Sequence, residues 1–121
     1  MTNYSDDAVE VAYGSGNVFA DLGIELTAEE RVKIQFALQI SKAIVERALT
    51  QAEAAKLLQI DQAKVSALTR GRIAGFSIER LMRYLSALGW DVDIALRPSA
   101  SEHGQVQVQT LDALGTAKAV A

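Results

Sequence analysis

The 121 residues are half apolar and 22% charged with a net charge of −3, which suits one ordinary packed domain and excludes wholesale disorder. The absence of cysteine excludes disulfide scaffolds, thiolate metal sites and cysteine nucleophiles, and a single histidine, His103, speaks against zinc sites and histidine-dependent triads. No apolar run exceeds three residues and the opening ten residues carry acid where a secretory signal carries base, so the expectation is a soluble cytoplasmic domain with no membrane partner.

Residues 1–26 read as an acidic, mostly irregular arm. It holds a short alternating stretch at 9–13, a turn at Gly14, Ser15 and Gly16, and at most one helical turn capped by Asn17. Thr27 followed by Glu30 is a capping box opening a helix to about Ala48, with Phe36, Ala37, Ile40, Ile44 and Ala48 on one apolar face. Thr50 followed by Glu53 is a second capping box, opening a helix over 51–58. Asp61 caps a third helix over 62–70 that ends at Gly71. Ser77 caps a fourth over 78–88, whose Ile78, Leu81, Met82, Leu85 and Leu88 form a stripe that Gly89 ends. Residues 90–97 alternate with period two and predict a strand stopped by Pro98, and 98–121 read as a loosely ordered tail.

Charge is divided along the chain. Residues 1–30 carry seven acids and no base, whereas 31–83 carry ten bases against four acids. A basic centre between acidic arms keeps a polyanion partner open. Within that centre, two short capped helices joined by a tight turn meet the packing demands of a helix-turn-helix. Ala55 is small where the helices cross, Leu58 points inward, Ile60 holds the turn, and Val65 and Leu68 return the second helix to the core.

The stretch 51–66 resembles the helix-turn-helix of Cro- and repressor-type (XRE-family) regulators, and the flanking helices extend the resemblance to about 35–89. It implies a mainly α fold: a compact four- to five-helix bundle, lambda-repressor-like, spanning 27–97 with its motif at 50–71 and the short C-terminal β-strand after it. One departure is Gln59, where the family usually has glycine. A left-handed backbone there costs a non-glycine residue about 1 kcal/mol.

The resemblance also implies roles. The second motif helix enters the major groove of double-stranded DNA with its N-terminal residues Gln62, Ala63, Lys64 and Ser66. Glutamine suits adenine and lysine suits guanine. Gln51 matches a backbone-phosphate position, and Arg70 and Arg72, with Thr69, leave the helix toward the other side of the groove. Arg80 and Arg83 read as solvated surface groups. A single recognition helix covers few base pairs, so a homodimer on a palindromic operator is expected, paired through 91–97 to the same segment of a second subunit or to 9–13.

The whole-chain pattern, including Gly14 to Gly23, Gly75-Phe76-Ser77 and the ending Leu96-Arg97-Pro98, resembles the HigA-type antitoxins. That implies an autorepressing antitoxin partnered by a RelE/HigB-type ribonuclease toxin. The alternatives are a stand-alone repressor and a protein-interaction module reusing the fold. No enzyme, cofactor or metal is implied. Asp91 and Asp93 read as a solvated face opposite buried Val92 and Ile94. Ser99, Ser101, Glu102 and His103 lie where nothing fixes a triad, and the glycines at 14 and 16 lack a P-loop lysine.

Overall fold

A computed structural model describes residues 26–116. Among them four helices follow one another: α1 (Ala28–Glu46), α2 (Gln51–Leu58), α3 (Gln62–Thr69) and α4 (Ile78–Ala87). The turn at 14–16, the stretch 9–13 and the helical turn after Asn17 lie outside the described residues.

Each helix begins where its side-chain cap predicts. The Glu30 N–H donates to Thr27 Oγ1 at 3.0 Å while the Thr27 N–H donates to Glu30 Oε1 at 2.9 Å. Thr50 and Glu53 repeat the arrangement at 3.0 and 2.8 Å. Asp61 Oδ1 accepts the Lys64 N–H at 2.9 Å and Ser77 Oγ accepts the Arg80 N–H at 3.1 Å. Each cap satisfies a backbone donor that the first turn leaves without a partner.

The helix ends share one device. A residue in the left-handed region turns the chain, and the following N–H reaches back to close the helix: Leu49 to the Ile44 carbonyl, Ile60 to Ala55, Arg72 to Ala67 and Trp90 to Leu85, all at 2.9–3.0 Å. Gly71 and Gly89 fill the turning position after α3 and α4, with φ of 79° and 89°. After α1 and α2 it is filled by Ala48 (φ 54°) and Gln59 (φ 60°). The left-handed Ala48 is why α1 stops at Glu46 and leaves Ala48 exposed instead of on the apolar face.

Helix α1 is the centre of the bundle and packs on both α3 and α4, while α2 packs on α3. That double contact buries more of α1 than one stripe: Val32, Ile34, Leu38, Ser41 and Ala43 join Ala37, Ile40 and Ile44, with Phe36 half-buried. Ser41 is tolerated there because its Oγ donates to the Ala37 carbonyl at 2.9 Å. From α4, Leu81, Leu85 and Leu88 are buried as the stripe requires, and Tyr84 joins them; Ile78 and Met82 are half-buried at its margins.

The expected strand over 90–97 is absent: the segment is in no ladder among the described residues. Alternation supplies two faces, but a strand exists only with a partner to bond. Trp90 and Val92 pack against the core, whereas Ile94 is 75% exposed and Leu96 93% exposed, so Ile94 is not the buried residue its register suggests. Residues 98–107 are exposed along their whole length. No helix among the described residues is long and apolar enough to cross a membrane.

Candidate nucleic-acid interface

The five packing positions of the motif come together as their residue types demand. Ala55 and Leu58 of α2 are buried, Ile60 is half-buried in the turn, and Val65 and Leu68 of α3 are fully buried. Fully burying a valine or leucine is worth about 1.5–3 kcal/mol. Two such residues therefore fix the rotation of an eight-residue helix that could not hold itself in water.

With that rotation fixed, the first turn of α3 is presented outward, while Ser66, Ala67 and Thr69 are half-buried and Ala67 packs against the core. At about 3.6 residues per turn, Ala63, Ser66 and Arg70 fall on the side away from Val65 and Leu68. Ala63 and Arg70 are exposed, and Ser66 is half-buried. Gln62 and Lys64 are also exposed. They stand about 200° apart around the axis, so they splay to opposite flanks of the helix tip and do not address one point.

The polar groups differ in how far they are already committed. Lys64 Nζ lies 3.8 Å from Asp61 Oδ2, with both side chains substantially exposed. The cation at the positive end of the helix thus has a carboxylate beside it, although an exposed pair of that length contributes little. Thr69 Oγ1 donates to the Ser66 carbonyl at 3.0 Å, which leaves that hydroxyl able only to accept. Gln51 is half-buried at the first position of α2, and Arg72 is exposed in the loop after α3.

The expectation for Arg80 is corrected. Its guanidinium donates to the Tyr84 hydroxyl at 2.9 Å and to the Gly75 carbonyl at 3.3 Å, with Cζ 5.3 Å from the centre of the Phe76 ring. It is half-buried, while Arg83 is exposed as expected. The signal was present in the sequence as an arginine four residues from an aromatic on either side, at 76 and 84.

Among the described residues the carboxylates and hydroxyls of 91–103 do not assemble a reactive group. Asp91 and Asp93 are exposed, and the Ser101 hydroxyl donates to the His103 carbonyl. Among the described residues no cluster of three or more histidine, aspartate or glutamate side chains could hold a metal ion.

Comparison with known proteins agrees with this geometry. A family model described as a helix-turn-helix domain matches residues 18–97. A protein of Mycobacterium tuberculosis (strain H37Rv) assigned as antitoxin HigA2 is 34% identical over 61 residues, which are 50% of this chain and 60% of that relative. The chain thus spans less than two thirds of that relative's length. A solved structure assigned as an XRE family transcriptional regulator superposes with a TM-score of 0.62 at 38% identity, covering 70% of this chain and 96% of the other.

Proposed function

The chain belongs to the helix-turn-helix family of XRE-type transcriptional regulators, and from that premise we propose that it is the autorepressing antitoxin of a toxin–antitoxin pair. The family binds DNA and regulates transcription, and it is not enzymatic. The reading of the interface rests on one observation: Val65 and Leu68 are fully buried while Gln62, Ala63 and Lys64 are exposed, so α3 offers its first turn outward.

In this reading α3 enters the major groove. Gln62 and Lys64 address base edges or phosphates on the two flanks, and Ala63 and Ser66 lie between them. Gln51, Thr69, Arg70 and Arg72 address the backbone on either side. Phosphate contacts position the protein and base contacts specify the sequence. Two copies bind a palindromic operator with half-sites about 34 Å apart, because one eight-residue helix covers too few base pairs for adequate specificity.

The antitoxin role is supported by the likeness to the protein assigned as HigA2. Its partner would be a ribonuclease toxin of the RelE/HigB kind, offering basic surface to the seven acids of residues 1–30. Expressing the adjacent reading frame alone and together with this chain tests the role. Growth arrest relieved by the chain supports it. A neighbour with no toxicity, beside retained operator binding, leaves a stand-alone repressor.

A further inference from the structure

Helix α3 ends in a loop that carries Arg72, and the two ends of that loop are fastened by different means. At the near end the Gly71 N–H donates to the Leu68 carbonyl at 3.2 Å and the Arg72 N–H to the Ala67 carbonyl at 2.9 Å. At the far end the Phe76 N–H donates to the Ile73 carbonyl at 3.1 Å, and the Phe76 ring is buried. The other fastening comes from α4. Arg80 reaches back over one turn, with Nη1 on the Gly75 carbonyl at 3.3 Å and Nη2 on the Tyr84 hydroxyl at 2.9 Å. Its Cζ lies 5.3 Å from the centre of the Phe76 ring and 6.0 Å from that of Tyr84, and the two rings meet edge to face at 6.2 Å.

Among the described residues Arg80 has no carboxylate within ion-pair distance. Among those residues its charge is met by a carbonyl, a phenol oxygen and two ring faces. The guanidinium lies against the far end of a loop whose exposed residues include Arg72.

We propose that Arg80 is a positioning residue for DNA binding: it fixes the carbonyl of Gly75 and the ring of Phe76, and so presents Arg72 to a backbone phosphate. The inference rests on α3 being the recognition helix. A loop fastened at both ends has already lost the backbone freedom that a free loop would surrender on binding, so Arg72 contacts phosphate at smaller entropic cost. The guanidinium suits this task because its planar fork bonds two acceptors while lying on aromatic surface; a lysine ammonium is a point charge and does not do both.

Phosphate contacts are independent of sequence, so a mixed-sequence DNA duplex of about 30 base pairs is a sufficient probe, with affinity of the full chain measured across a potassium chloride series. Arg72→Ala should lower the slope of log affinity against log salt by about one. Arg80→Met should lower it by the same amount and weaken binding on the order of ten-fold at low salt, in protein shown to be folded by circular dichroism. Adding Arg80→Met to Arg72→Ala should then change affinity by less than about two-fold, since both remove one contact. Arg80→Lys should not restore binding.

Wild-type affinity and slope for folded Arg80→Met overturn the proposal, as do effects of the two variants that multiply, or rescue by Arg80→Lys. Should Arg80→Met fail to fold, Arg80→Lys takes its place in the same cycle with Arg72→Ala. Failure of the wild-type chain to bind any duplex is a different result and removes the reading of α3 itself.

Discussion

Gln59 and Ala48 sit in the left-handed region that glycine enters freely, and each does so at the end of a helix whose closing hydrogen bonds are otherwise in place. The cost of left-handed backbone to a residue with a Cβ is about 1 kcal/mol. Gln59→Gly and Ala48→Gly should therefore each raise stability by roughly that amount, less the extra entropy glycine brings to the unfolded chain. A urea titration reads the gain as a higher midpoint at unchanged slope; an unchanged or lower midpoint for both would show that the Cβ is not what strains these turns. Gln59 was legible in the sequence, because the family resemblance placed a turn there. Ala48 was not: alanine is the best helix former, and propensity extends α1 through it. Its conformation is imposed by the short connection to Thr50, which must turn the chain before the next cap.

At the scale of the element, α3 combines a fixed inner face with an exposed first turn. Its fully buried Val65 and Leu68 came directly from the spacing of apolar residues, and its cap Asp61 from residue type. What spacing did not reveal was that Lys64 stands 3.8 Å from the carboxylate of that cap. The pair has two consequences. Lys64→Glu exchanges a weak exposed attraction for a better match to the helix dipole, so stability should stay within about 0.5 kcal/mol of wild type. Operator binding should be abolished, and wild-type affinity at matched salt would exclude Lys64 from the interface. Asp61→Asn keeps an equally good cap and removes the acid beside Lys64. Stability should hardly move, while affinity for DNA should rise a few-fold, most at low salt. Affinity that falls on this change would show that the Asp61 charge aids binding instead of opposing it.

At the scale of the whole molecule, the division of charge and the exposed segment after α4 carry the expectations about partners. The seven acids of residues 1–30 oppose approach to a polyanion, so deletion of residues 1–26 should leave or raise affinity for DNA. A large loss by the truncated, folded protein would place that segment in the complex. Helices were legible because caps and periodic apolar residues are local signals. The fate of 90–97 was not, because a strand is a property of two segments and only one is written there. Within the single chain this segment leaves Ile94 largely and Leu96 almost wholly exposed, immediately after Trp90 and Val92, which pack on the core. Pairing with the same segment of a second copy would complete its backbone hydrogen bonds and cover both side chains at once. The same pairing would fix the distance between two α3 helices, as a palindromic operator requires. Sedimentation of the wild-type chain should show a dimer, free and on operator DNA. The double variant Ile94→Asp, Leu96→Asp should sediment as a monomer with its helix content intact, because neither side chain belongs to the buried core. Its affinity for the full operator should fall to near that for a half-site. A variant that stays dimeric would move the interface from this segment to the helices, and a monomeric wild type on operator would remove the dimer altogether.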